Sequence, residues 1–508
     1  MGQSGLVVRG TSRMRPDRRL VQSPVRMCGI LKRGTGPGGS CSEPSLHYPS
    51  GSSTIRYGAC LGLVASHTAR DERLRRSGGL FGNMENEHIA YIGLRQSWGG
   101  ESPFGLSRTD RRQHLYLIGK TGAGKTTLLR NLILQDIEAG EGVGLIDPHG
   151  DLAEELLDFI PPRRTDDVVY FNPADAEYPV ALNLLRRTAP EKRHLVAAGL
   201  VASLKSIWRD SWGPRLEYIL YATCAALMEC ENVSLLGVQR MLSDSRYRAW
   251  VVRQVRDPAV KAFWETEFAR YDPRFLQEAI APIQNKVGQL LMAPPIRNII
   301  GQVKSKINPR FLIDDGRILI ANLSKGRLGE ERASLLGALL VTQLQLAAME
   351  RADVPETTRR DFFLHIDEFH NFTTDSLAGI LSEARKYRLC LTLAHQYSDQ
   401  LRDEVREAVF GNVGSLVVFR VGEADGARLS RELGGAYTAQ QLADLANRQV
   451  CAKLLADGDF PEPFLGNTLP PIAHRYGGRE VIVRRSRERF ATPRSIVEEK
   501  IQRWLTSS

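Results

Sequence analysis

The sequence predicts an α/β fold, a mainly parallel sheet flanked by helices and interrupted by an inserted all-α segment. Three observations carry this. Short apolar runs ending in polar loops recur between residues 115 and 171 and again between 317 and 455. They are too short for helices and suit buried parallel strands. Helical periodicity alone fills residues 187 to 305, between the two groups. Finally, one run passes through a glycine-rich turn into an apolar helix, the order of a phosphate-cradling α/β unit.

A chain of 508 residues has room for two or three domains. The formal charge is +10, but residues 1–83 hold 13 Lys+Arg against 4 Asp+Glu, leaving 55 against 54 for the rest. Any nucleic-acid surface on the body is therefore a local patch. The seven cysteines form no C-x-x-C pair, which speaks against a zinc site or disulfide frame and suits a reducing cytoplasm. No stretch reaches the roughly 20 apolar residues of a spanning helix. The longest candidate, Leu335 to Met349, is interrupted by Thr342, Gln343 and Gln345 and reads as a buried helix. Nothing near the start resembles a signal peptide.

In chain order, residues 1–83 are rich in Gly, Ser, Pro and Arg without a sustained apolar period. They read as a disordered basic segment or as a misassigned start, with Met84 the first residue. Residues 84–186 open with a β-rich lead-in at 88–113. The strand Leu115–Ile118 follows, then Gly119-Lys120-Thr121-Gly122-Ala123-Gly124-Lys125-Thr126, which fits G-x-x-x-x-G-K-[ST] at every fixed position. Glycines let successive N–H groups turn inward on a phosphate, and the helix continuing through Thr127 adds positive partial charge. Lys125 is placed to reach the β- and γ-phosphates of ATP, and the Thr126 hydroxyl to hold Mg²⁺. Val143–Ile146 reads as a second strand and Asp167–Phe171 as a third. Asp147, before Pro148, is either near the nucleotide or a turn former.

Residues 187–305 read as the inserted all-α subdomain. Sheet patterning resumes over 306–465, with a strand at Arg317–Leu323 and a long helix at about 330–351. Asp361–Ile366 then ends in Asp367-Glu368. An Asp at such a strand end can bind the Mg²⁺ shell, and the following Glu can orient and deprotonate the attacking water. The strand Leu389–Leu393 leads to His395-Gln396, where a polar side chain can sense the γ-phosphate. A strand at Ser415–Val421 contains Arg420, either a site arginine or a salt-bridged edge residue. Residues 466–508 form a tail with a basic run, Arg484 to Arg489, and a closing helix whose Ser495 and Glu498 suggest a capping box.

Taken together, these stretches resemble the hexameric DNA-pumping ATPases of conjugation and type IV secretion, the coupling proteins. These share a RecA-like P-loop core with the HerA and FtsK translocases. GKTGAGKTTLL, LIDPHGDL, FNPAD, ANLSKGRLGEERASLLG, LHIDEFHNF, SEARKYRLCLTLAHQYSDQL and GNVGSLVVFRVGEADGARL carry the resemblance, in the family's order, over roughly residues 104 to 465. It implies a homo-oligomeric ring with ATP between subunits, DNA in the pore, and a relaxase and secretion-channel proteins as partners. Arg385 matches an arginine that reaches the neighbour's nucleotide. A second such arginine falls where this chain has Gln113, with Arg112 one residue earlier. Coupling proteins usually carry N-terminal transmembrane helices, absent from this pattern, so the expected location is cytoplasmic, with peripheral membrane docking through a partner.

Two other classes stand beside this reading. A HerA-like helicase or translocase would process DNA without a secretion channel, and a secretion ATPase would move protein without DNA-stimulated hydrolysis. A scaffold without turnover conflicts with the intact Lys125, Asp367 and Glu368.

Overall fold

The computed structural model describes residues 88–185 and 188–506; the expectations for residues 1–83 lie outside them. Its strands are β1 (Ile89–Ser97), β2 (Gly100–Ser107), β3 (Leu115–Ile118), β4 (Gly142–Asp147), β5 (Val168–Phe171), β6 (Ile318–Asn322), β7 (Phe362–Ile366), β8 (Leu389–His395), β9 (Ser415–Val418), β10 (Gln449–Lys453) and β11 (Phe464–Thr468). They form one sheet in the order β2-β1-β11-β10-β9-β3-β8-β7-β4-β6-β5. From β9 to β5 every neighbour is parallel. From β9 back to β2 every pair is antiparallel.

The parallel half explains the legible runs. β3, β4, β5, β6, β7 and β8 are buried at every residue, because helices cover both faces and no residue needs to be polar. The antiparallel half is different. β11, with the sequence FLGNT and mixed burial, has no apolar run and was not expected; it crosses the boundary drawn at 465/466. β9 also ends sooner than the apolar pattern suggests, at Val418. Phe419 and Arg420 lie beyond it and wall the glycine-rich loop.

Among the described residues between 188 and 317 there is no strand. The main helices are Arg193–Ile207, Pro214–Leu227, Leu236–Ser243, Ser245–Val252, Pro273–Met292 and Pro294–Ile300. Three open on Pro214, Pro273 and Pro294, whose fixed φ suits a first helical residue. Asp244 and Asp272 cap their helices by accepting first-turn N–H groups. These helices share one hydrophobic core with the sheet. Ser203 Oγ meets Thr342 Oγ1 at 3.0 Å, where Arg193–Ile207 packs on the helix Glu330–Met349. That long helix and its extension to Asp353 are apolar enough to cross a membrane, but 78% of the apolar window is buried inside the fold.

The tail is built into the body. The helix Arg479–Phe490 lies on β5, where Ser486 Oγ accepts the Tyr170 N–H at 2.9 Å. Two arginines of the basic run are committed to it, Arg485 to Asp166 and Arg487 to Asp175. The closing helix begins at Arg494. Glu498 does not complete the expected capping box; it accepts from Asn298 Nδ2 at 3.1 Å and Arg494 Nε at 2.9 Å, tying this helix to the all-α segment.

At the amino ends of the parallel strands a buried polar layer fixes the register. Arg111 pairs with the buried Asp136, which also meets His365 Nε2 at 3.2 Å, and Arg111 stacks on Phe363. Arg112 grips Asp361 through Nε and Nη2 at 3.0 and 2.9 Å. His114 donates from Nε2 to Leu381 O and accepts the Leu391 N–H on Nδ1. Protonating Nδ1 would break the second bond inside the core, and burial lowers the ring's pKa to about 4. A folded value below the unfolded one contributes stability that is present above about pH 6.5 and is lost as pH falls toward 4. We expect about 2 kcal/mol of pH-dependent loss between pH 7.5 and 5 from this group. Denaturant titrations of wild type and His114→Gln at both pH values isolate it, since titration of Asp367 in the opposite sense is common to both proteins. Equal pH slopes would remove the assignment.

Candidate nucleotide site

The site is assembled at the carboxyl ends of β3, β4, β7, β8 and β9, where open α/β sheets place ligands. The loop after β3 is stapled on both sides. Lys120 N–H donates to Arg420 O at 2.8 Å, Gly119 N–H to His395 O at 3.4 Å, and Arg448 N–H to Ala123 O at 3.1 Å. This close wrap explains the first glycine: a β-carbon at Gly119 would lie 2.5 Å from Phe419 Cβ. Gly124, at φ 120°, turns the chain into the helix Lys125–Glu138, which has no side-chain cap. Its first-turn N–H groups are left for an anion in the loop.

Lys125 is buried, and its ammonium donates to Gly119 O at 2.5 Å and Lys120 O at 3.2 Å. Burial lowers its pKa, and Glu368 and Asp367 oppose that shift. Thr126 is exposed at the start of the helix. Asp367 follows β7, and burial first, then the Asp147 and Glu368 charges, push its carboxyl up to about 6. Asp147 itself holds a turn: its oxygens accept the His149 N–H at 2.8 Å and the Ala153 N–H at 2.9 Å.

Glu368 sits at φ 44°, a left-handed backbone uncommon for a non-glycine residue. Asn371 holds it there, its N–H and Nδ2 donating to Glu368 O at 3.0 and 2.7 Å. Lys325 Nζ in turn donates to Asn371 Oδ1. Glu368 Oε1 accepts from Gln396 Nε2 at 2.9 Å, while its Oε2 is buried without a hydrogen bond, 3.5 Å from His370 Nδ1. Asn371, Lys325 and His370 were not singled out in the sequence: His370 and Asn371 are placed by the turn that follows Glu368, and Lys325 reaches Asn371 only through the fold.

Lys125, Thr126, Asp367, Glu368 and Gln396 therefore share one edge of the sheet. The residues fit a magnesium nucleotide: an uncapped helix end and Lys125 suit phosphate, and a buried Asp367 with Asp147 and Glu368 close by suits a divalent cation. Arg385 is not with them. It lies in the exposed turn Ala384–Tyr387 before β8, so the seven residues of that strand, roughly 20 Å, separate it from Gln396. Arg112 is at that far edge too, held by Asp361. Arg420 lends its carbonyl to the loop, and its side chain makes no ion pair among the described residues.

Residues 103–267 and 327–446 match the family described as the type IV secretion-system coupling protein DNA-binding domain. A search of curated proteins gives no significant match. Among solved structures, the fold is similar to the plasmid coupling protein TrwB in complex with ADP and Mg²⁺, with TM-score 0.56 and 17% identity, over 78% of this chain and 97% of that one. The unbound conjugative coupling protein TrwBdeltaN70 matches at TM-score 0.55 and 16% identity, over 79% and 98%. VirB4 of Thermoanaerobacter pseudethanolicus matches at 0.50 and 13%, over 76% and 97%.

Proposed function

Because this chain belongs to the type IV secretion-system coupling protein family, we propose that it is a DNA-translocating ATPase working as a ring, with each nucleotide between two subunits. The observation that carries the ring is the separation of Arg385 from its own chain's phosphate loop. An exposed arginine at the opposite edge of the sheet is out of reach of its own chain's nucleotide, which supports a role at a neighbouring subunit's. The DNA assignment rests on the family, and the plasmid coupling protein crystallised with ADP and Mg²⁺ supports ATP chemistry.

In this mechanism the loop Gly119–Thr127 holds the phosphates. Lys125 leaves its carbonyl partners on the loop for the β- and γ-oxygens. Thr126 and Asp367 would hold Mg²⁺, which would supply charge neutralisation at those oxygens. Glu368, fixed by Asn371 and Gln396, takes the proton of the attacking water. Gln396 is bonded to Glu368 Oε1, so loss of a γ-phosphoryl beside Glu368 would change its bonding and shift the end of the strand it follows. Arg385 from the neighbour stabilises the charge of the transferring group. DNA is gripped by its backbone, which suits a nearly neutral body because only the pore lining needs positive charge. A relaxase and secretion-channel proteins would be the partners at the cytoplasmic face of a membrane.

The test is ATP hydrolysis by the purified chain alone, with single strands and with duplex. We expect stimulation by DNA. Stimulation by single strands fits conjugative transfer, and stimulation by duplex alone fits a HerA- or FtsK-like motor. Indifference to both would overturn the DNA-pump reading.

A further inference from the structure

We infer that Arg448 binds the ribose and α-phosphate end of the nucleotide, the part ATP and ADP share; this rests on the nucleotide reading of the site above. The corner before β10 is unusual. Arg448 has φ 66°, a left-handed conformation that favours glycine, with an arginine in place. Both of its backbone groups are used. Its N–H donates to Ala123 O in the phosphate loop at 3.1 Å, and its carbonyl accepts the Thr468 N–H at 2.8 Å. The corner is thereby a fixed part of the loop wall rather than a mobile turn.

The side chain is placed by this pinning. A β-carbon added to Gly124 would lie 3.6 Å from Arg448 Cγ, so the aliphatic stem runs beside the last glycine before the helix. Beyond the stem the guanidinium is exposed and has no hydrogen bond or ion pair with any described residue. A fixed backbone carrying an unspent cation at the rim of an anion cradle is the arrangement expected of a ligand contact.

Strand order gives the polarity. Glu368 and Asp367 stand beyond β7, on one side of β3 with β8 between. They mark the γ-phosphate and its metal. Arg448 stands on the other side, where β9 separates β3 from β10. A nucleotide whose γ-phosphate faces Glu368 and whose β-phosphate lies in the loop directs its α-phosphate and ribose toward Arg448. A contact to that end is made equally with ATP and ADP and in the ground and transition states. It is uniform binding rather than catalysis.

The experiment is calorimetric titration of the full-length chain with Mg·ATP and Mg·ADP, the ATP arm in a Glu368→Gln background to keep it intact. Arg448→Gly is the informative change, since glycine keeps the left-handed corner while removing the side chain. We expect Kd for both nucleotides to rise together by about tenfold to a hundredfold, the range for a charge-assisted hydrogen bond. Arg448→Lys should recover part of the loss. Unchanged affinity in Arg448→Gly, with tight wild-type binding, would overturn this inference alone. So would a loss confined to ATP, which would place Arg448 at the γ-phosphate. Failure of the wild-type chain to bind either nucleotide would overturn the reading of the whole site and this inference with it.

Discussion

Glu368→Gln is expected to lower kcat by about 10² to 10⁴ while leaving nucleotide binding close to wild type, because it removes a general base and little else. The structure explains why the substitution is clean. Glutamine keeps an oxygen for the Gln396 Nε2 donor that now bonds Glu368 Oε1. The left-handed backbone is held by Asn371 through the Glu368 carbonyl, which the substitution does not touch. Removing the Glu368 charge also eases one of the lesser causes that raise Asp367, behind burial and Asp147. Single-turnover hydrolysis beside a binding titration checks this. Weakened binding with unchanged kcat would show that Glu368 holds the nucleotide and does not act on water. Lys125→Ala provides the contrast, since removing its ammonium should weaken both binding and turnover.

The glycine-rich loop was legible in the sequence because its pattern is local: the glycines, Lys125 and Thr126 fall within eight consecutive positions. Asp367 and Glu368 were legible because a strand apolar but for His365 stops at them, and β7 is buried throughout. The all-α segment announced itself by period. What escaped is what only the fold brings together. β11 is a half-exposed antiparallel strand with a glycine and an asparagine, and its place beside β1 and β10 comes from long-range pairing. The clamp on Glu368 joins Asn371 to Lys325, 46 residues away. Arg448 reaches the loop from a corner about three hundred positions downstream. The basic run in the tail shows no partner in the sequence, yet in the fold Arg485 and Arg487 pair with Asp166 and Asp175 of the same chain.

Arg385→Ala is expected to reduce kcat by about 10³ to 10⁵, the effect of removing an arginine finger, with nucleotide affinity little changed in the absence of ring closure. Loss of activity alone would not show that the arginine acts between subunits. Its position supplies the sharper test. Arg385 and Glu368 stand at opposite edges of one sheet, so a single chain cannot bring them to one phosphate without unfolding β8. If each nucleotide is served by Glu368 of one subunit and Arg385 of the next, then Arg385→Ala and Glu368→Gln proteins, each inactive, form an intact site where they meet. Mixing them should restore single-turnover hydrolysis to a fraction set by the share of such junctions, and dilution below the assembly concentration should abolish it. A mixture as inactive as its components would remove Arg385 from the interface. The same logic separates this arginine from Arg112, whose two bonds to Asp361 tie it within its own chain. Replacing Arg112 is then expected to lower stability by leaving a buried carboxylate short of a partner, and mixing with Glu368→Gln should not repair that.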